Sequence, residues 1–254
     1  MGKVVCKEVH DRGLIWKKGL RSRRGQELCL WGVLNAGNYN YIIRWYFRDD
    51  GAILGEVGAT GTNLPASPFE NHTHIVTWRL DVDFGDGAHN SVAICSHDEN
   101  SRTASAQDTA TVLNTERGLV WNPVQFDALR VFEPGRTNNR IRDRDGRDHT
   151  SALDLIPLRY GNVRTEEPYT QYDFWITRER PNQMWPRRLP QYVQPAGSIQ
   201  NSDIIVWYTS PLHHWVRDED GELGQNNRFI GVTHLMWTGF MLIPRNLFDT
   251  TPLY

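Results

Sequence analysis

His72 and His74 stand two residues apart in the run Asn71-His72-Thr73-His74-Ile75-Val76-Thr77-Trp78. The run is rich in β-branched and aromatic residues, which suits a strand. Side chains on a strand alternate faces, so residues i and i+2 share one. The two imidazoles can therefore reach a single metal ion, with further ligands supplied from elsewhere. The plain alternative is a pair of surface histidines on an edge strand. A second rich stretch runs from Asp203-Ile204-Ile205-Val206-Trp207-Tyr208-Thr209 to His213-His214. Adjacent histidines on an extended chain point opposite ways, so one of the two can join His72 and His74. Three imidazoles on a rigid sheet leave coordination positions open for substrate or oxygen.

Asp81 and Asp83 also share a strand face, and with Asp203 they form a carboxylate set suited to a hard cation such as calcium. Ordinary solvent-facing carboxylates are the alternative. The turn-like stretch Ala36-Gly37-Asn38-Tyr39-Asn40-Tyr41 shows no chemistry taken alone.

Short apolar runs separated by turn residues must position these groups. Leu28–Leu34 and Tyr41–Phe47 are two such runs. Asp49-Asp50-Gly51 predicts a hairpin joining Tyr41–Phe47 to Ala52–Ala59. Ile75–Phe84 and Ser91–Cys95, joined through Gly85-Asp86-Gly87, predict another hairpin. Tyr172–Thr177, Ile204–Thr209 and Leu235–Ile243 read as further strands. Residues 1–27, Gly61–Glu70, Asp98–Thr111 and the charge-dense Arg136–His149 read as loops. Pro181–Pro195, with four prolines, reads as an ordered but irregular connection. Strand after strand with no long amphipathic helix predicts an all-β antiparallel sandwich with long irregular loops, one domain over 1–254.

The bulk composition is compatible with that class. Ten tryptophans and nine tyrosines suit strands and aromatic-lined pockets. A formal net charge of -2 gives no basic footprint, so nucleic acid is not the expected partner. No apolar run reaches membrane-spanning length, so no membrane partner is expected. Three cysteines imply no disulfide framework. Met-Gly-Lys-Val-Val-Cys at the start has no signal-peptide pattern, so a cytoplasmic location is the expectation. His10, His89, His97, His149 and His234 read as surface or satisfied histidines, with His234 the exception to watch. Cys29 and Cys95 read as buried strand thiols.

Taken together and in order, these stretches resemble the copper-containing primary amine oxidases. That family carries an Asn-Tyr-Asp/Glu motif whose tyrosine is oxidised in place to topaquinone. It then carries His-x-His with Arg-Leu-Asp-x-Asp, and later Asp-Ile-Val-Val-Trp-Tyr-Thr followed by histidine. Here they read Asn38-Tyr39-Asn40, His72-Thr73-His74 with Arg79-Leu80-Asp81-Val82-Asp83, and Asp203–Thr209 with His214. Asp173–Arg178 and Gly239–Leu242 with Phe248-Asp249 resemble later family stretches, so the likeness runs from about Cys6 to Tyr254. By that resemblance His72, His74 and His214 are copper ligands, with His213 the alternative if the register slips by one. Tyr39 is the topaquinone precursor. Asp81, Asp83, Asp203 and the backbone oxygens of Val82 and Ile204 hold a second, calcium-like cation. The implied reaction is oxidative deamination of a primary amine with O2.

The chain departs from the family in four places. The family's catalytic aspartate and a second tyrosine lie upstream of the point where the likeness begins. The disulfide partner expected for Cys6 is missing, leaving a free thiol. Asn40 is a neutral amide where the family has a carboxylate. The Tyr39–His72 loop is short, and Gly221-Glu222-Leu223-Gly224 replaces a Trp-Pro-x-Met-Pro segment. These departures imply a homodimer or a companion chain that supplies the missing strands. They also leave open two other functions. One is a copper-site enzyme of specialised metabolism, of cyclase or lyase type, without amine oxidase activity. The other is a non-catalytic copper-binding homologue.

Overall fold

A computed structural model describes residues 4–63, 69–84, 89–97, 108–124, 128–142, 148–159, 164–225, 230–250 and 252. Two antiparallel sheets face one another. The larger has nine strands in the order β1-β2-β3-β4-β13-β10-β9-β6-β7, and the smaller has four in the order β5-β12-β11-β8. The larger sheet comprises β1 (Cys6–Lys18), β2 (Arg21–Ala36), β3 (Tyr39–Arg48), β4 (Ile53–Gly61), β6 (Ser91–His97), β7 (Asp108–Val112), β9 (Ala128–Arg142), β10 (Asp148–Leu158) and β13 (Met236–Arg245). The smaller comprises β5 (His72–Asp81), β8 (Arg117–Leu119), β11 (Phe174–Arg178) and β12 (Ile204–His214). The antiparallel sandwich predicted from the strand pattern is the fold observed.

The core lies between the sheets. Val57, Leu129, Val131, Leu155 and Phe240 of the larger sheet meet Trp78, Phe174, Ile176, Val206 and Tyr208 of the smaller. Phe240 sits within 5.1 to 6.2 Å, ring to ring, of Trp45, Trp78 and Tyr208. Edge-to-face contacts of this kind add to the area the rings bury. The smaller sheet is covered on its outer side too. Trp175, Ile205 and Trp207 pack there against Leu189, Tyr169, Tyr192 and Val193. This explains why the first half of β12, Ile204 to Tyr208, is an unbroken apolar run rather than an alternating one. The proline-rich connection supplies much of that cover through short helical turns at Pro186–Arg188 and Leu189–Tyr192.

Several expected elements differ. The hairpin Tyr41–Phe47 to Ala52–Ala59 forms as β3–β4, turning at Gly51 with φ 84°. The hairpin between Ile75–Phe84 and Ser91–Cys95 does not form. β5 pairs with β12 in the smaller sheet, while β6 pairs with β7 and β9 in the larger. Alternation identifies a strand but not its partner. Residues 1–27 are not a loop, because Cys6–Lys18 and Arg21–Ala36 pair as β1–β2. Across this hairpin Arg24 pairs with Asp11. Arg136–His149 likewise lies largely in β9 and β10, with His149 opposite Asn138. Asp108–Thr111, expected as loop, belongs to β7. Charge density read as loop is here the sequence of strands held in the sheet by backbone pairing. The predicted turn at Gly85-Asp86-Gly87 and most of the stretch from Asp98 lie outside the described residues. Cys6 and Cys29 are free thiols, Cys29 is buried, and Cys95 is half-buried.

Candidate metal centre

His72 and His214 face each other directly across the β5–β12 ladder, and His74 lies opposite Leu212. Directly opposed residues of an antiparallel pair project from the same face. One register therefore places His72, His74 and His214 together, with one ligand atom from each within 4.8 Å of the others. His213 has the opposite parity. It is exposed, 3.0 Å from Thr73 Oγ1, and takes no part in the cluster.

Tyr39 opens β3 on the facing sheet and buries its phenol over the histidines. Its hydroxyl donates to Asn63 Oδ1 at 3.0 Å and lies 3.0 Å from His72 Nε2 and 3.1 Å from His214 Nδ1. Backbone geometry brings Asn63 to this point. Gly61, with φ +150°, pairs with Tyr39, and a Cβ there would lie 2.2 Å from Asn38 O. Only glycine fits that approach. Asn38 Nδ2 then donates to Thr62 O at 2.6 Å, which fixes the chain just before Asn63.

The partners of the remaining ring nitrogens decide the tautomers. His72 Nδ1 lies 2.8 Å from the carbonyl of Glu70. A carbonyl only accepts, so that nitrogen carries the hydrogen and Nε2 presents a lone pair. His214 Nε2 contacts the carboxylate of buried Asp220 at 3.4 Å, so Nδ1 is its bare nitrogen. Asp220 is held by Arg217 Nη2 at 2.8 Å and the Arg217 amide at 3.0 Å. Burial alone would raise the Asp220 carboxyl, but Arg217 and His214 outweigh it and hold it below the usual range. His74 Nδ1 meets the hydroxyl of Tyr41 at 2.8 Å, while its Nε2 is buried with no hydrogen-bond partner among the described residues.

Three acceptor atoms thus crowd one phenol hydrogen, and His74 Nε2 faces no donor. Lone pairs left like this in a buried site are costly unless a cation takes them up. Burial, reinforced by the neighbouring His72 and His214, pushes the His74 imidazole down to about 4. Burial also lowers His214, against the opposing pull of Asp220. Neutral imidazoles are what a metal requires. The donor set suits copper, which favours imidazole. Burial, with smaller contributions from Tyr41 and Asp220, raises the Tyr39 phenol to about 12. Without a cation Tyr39 therefore stays a phenol at neutral pH.

His234 also enters this region, since His214, Asp220 and His234 form a second close group. Elsewhere, Asp81, Asp83 and Asp203 offer oxygens within 4.8 Å of one another. Asp203 Oδ1 is buried and unpartnered, and burial followed by repulsion from Asp81 and Asp83 raises its carboxyl. The Val82 carbonyl accepts from Asn90 Nδ2 at 2.7 Å, and Ile204 opens β12 beside Asp203. Sequence reasoning did not single out Tyr41, Asn63 or Asp220. The parity of Tyr41 with Tyr39 on β3 was the available signal. Nothing in the local sequence marked Asn63 or Asp220.

Known proteins resemble this chain over nearly its whole length. The family model for the copper amine oxidase enzyme domain matches residues 2–67 and 64–254. Primary amine oxidase 2 of Arabidopsis thaliana is 27% identical over 300 residues, covering 98% of this chain and 42% of the relative. The primary amine oxidase of Klebsiella aerogenes is 25% identical over 285 residues, covering 91% of this chain and 36% of its own length. The chain thus spans about two fifths of the length of these relatives. Among solved structures, a copper-containing benzylamine oxidase from Hansenula polymorpha superposes with a TM-score of 0.74 at 18% identity, covering 98% of this chain and 44% of that one.

Proposed function

The chain belongs to the copper amine oxidase family, and we propose that it oxidises a primary amine with copper and a quinone made from Tyr39. The observation that carries this reading is the convergence of His72 Nε2, His214 Nδ1 and the partnerless His74 Nε2 beside the Tyr39 phenol. In this family copper, and the topaquinone formed from a tyrosine beside it, supply the electron sink through which O2 oxidises the amine.

The chain's own residues have separate tasks. His72, His74 and His214 hold the metal from a two-strand ladder whose register cannot slip without turning every side chain to the other face. Tyr39 keeps its proton until a cation is present, since burial disfavours the phenolate. Asn63 holds the hydroxyl in line with the imidazoles. Sandwich packing around Tyr39 keeps bulk water from the ring. Among the described residues Asp220 is the one carboxylate that bears electrostatically on Tyr39, and it is tied to Arg217 and His214.

The test is the mass of the Tyr39 peptide after the protein takes up copper in air. The expected change is a gain of two oxygen atoms and a loss of two hydrogens, with hydrogen peroxide released when a primary amine is added. An unchanged peptide in copper-loaded protein would overturn the quinone reading.

Asp81, Asp83 and Asp203, with the Val82 and Ile204 carbonyls, we assign to a calcium-like cation. The support is the mutual repulsion of three carboxylates and the unpartnered Asp203 Oδ1. A cation present at a hundred times its dissociation constant stabilises by about 2.7 kcal/mol. For a chain of this size that is roughly 5 to 10 °C in melting temperature. Calcium should raise the melting temperature of the wild type and leave Asp203→Asn unchanged. No rise in the wild type would remove the assignment.

A further inference from the structure

We infer that Tyr41 and Asp220 are positioning residues of the metal centre, each holding the back nitrogen of one imidazole so that the opposite nitrogen faces the metal bare. The inference rests on the reading of His72, His74 and His214 as copper ligands and adds the residues that orient them.

A neutral imidazole carries one hydrogen and one lone pair, and the bond made by one nitrogen decides what the other presents. For His214 the decision is firm. The Asp220 carboxyl oxygens accept from Arg217, so the Nε2 that lies 3.4 Å from one of them is the N–H. Arg217 fixes the carboxylate through Nε at 3.2 Å, Nη2 at 2.8 Å and its backbone N–H at 3.0 Å. The chain Arg217–Asp220–His214 thus runs from the surface to a fully buried ligand. A carboxylate behind a ligating histidine also makes the ring a better donor.

For His74 the partner is a hydroxyl, which can donate or accept. The far nitrogen decides instead. Nε2 is buried with no hydrogen-bond partner among the described residues, so a hydrogen there would go unsatisfied, whereas a lone pair there can bind the metal. Nδ1 then donates to Tyr41 at 2.8 Å. Tyr41 reaches this position because it lies two residues beyond Tyr39 on β3 and shares its face. A single strand therefore delivers one phenol to the front of the cluster and another to its back. His72 is held by the Glu70 carbonyl, a backbone group that side-chain substitution cannot remove.

The test measures copper(II) affinity of the full chain by chelator competition. It also records the electron paramagnetic resonance spectrum of the loaded protein and the melting temperature of the metal-free protein. Loss of an outer partner of a ligating histidine costs about 10- to 100-fold in affinity. Tyr41→Phe should lose that much, with an altered copper spectrum and a metal-free melting temperature close to wild type. Asp220→Asn retains an oxygen that accepts from Nε2, so it should fall between wild type and Asp220→Leu. Should Asp220→Leu fail to fold, Tyr41→Phe and Asp220→Asn still decide. Wild-type affinity and spectrum in both of those variants would overturn the inference. A wild type that binds no copper, or binds it without nitrogen ligation, would overturn the ligand reading itself and this inference with it.

Discussion

His72→Ala and His214→Ala each weaken copper binding by about a hundredfold or more and leave Tyr39 unmodified; this is the expected result of removing one of three imidazoles. The size of the effect follows from sharing. If the three ligands divide an apparent binding energy on the order of 10 kcal/mol, each carries about 3 kcal/mol, or roughly a hundredfold or more in affinity. The loss of quinone formation should be steeper still. The Tyr39 phenol is held near 12 by burial, and only a cation at this spot offsets that penalty. The two variants should part company in stability. His72 is partly exposed, and its loss frees the Glu70 carbonyl, which sits near solvent, and the Tyr39 hydroxyl, which keeps Asn63 as a partner. His214 is fully buried, and its loss deprives the buried Asp220 carboxylate of a donor. Leaving such a group short of a partner costs about 1–3 kcal/mol. Chelator competition and thermal melting of the metal-free proteins separate the two effects. Wild-type copper affinity in His72→Ala would remove the centre from its assigned place.

The sequence made the front of this site readable because period-two geometry is simple. His72 and His74 share a face by count, and the choice between His213 and His214 comes down to parity, which the β5–β12 register settles. Tyr39 was reachable only through family likeness, since nothing local in Asn38-Tyr39-Asn40 announces chemistry. The back of the site was not readable. Asn63 arrives through the close approach of Gly61 to Asn38, and Asp220 through a short helical turn beyond β12. Neither position follows from a motif, because both depend on where a connection lands after its strand has ended. The misjudged elements share one cause. β1, β2 and the ends of β9 and β10 carry charged residues along strands that pair in the sheet. Ladder hydrogen bonds are made by the backbone and do not need an apolar face. Charge density therefore misled where pairing, not burial, holds the strand. The unformed β5–β6 hairpin failed differently. Both segments are strands, but a turn-sized gap in sequence does not oblige them to join one sheet.

Tyr39→Phe should keep copper and lose amine oxidation altogether. The ring stays in its core position, since Tyr39 is buried among apolar neighbours that a phenyl group also satisfies. The missing oxygen is the atom through which β3 meets Asn63, His72 and His214 at hydrogen-bond distance. Its removal costs about 1 kcal/mol as a lost hydrogen bond, and the metal relieves the imidazole lone pairs that the hydroxyl no longer meets. Copper affinity should therefore stay within about tenfold of wild type. Peroxide release with primary amines should fall to background, because a phenyl ring can neither ionise nor present an oxygen to the metal. The contrast with Tyr41→Phe makes the result diagnostic. Both variants delete one phenol oxygen from the same face of the same strand. One oxygen stands in front of the imidazoles and the other stands behind them. Tyr39→Phe should spare binding and end chemistry, whereas Tyr41→Phe should weaken binding and leave the Tyr39 peptide convertible once copper is saturating. Amine oxidation at the wild-type rate in Tyr39→Phe would place the cofactor on another residue, and the division of labour along β3 would fall with it.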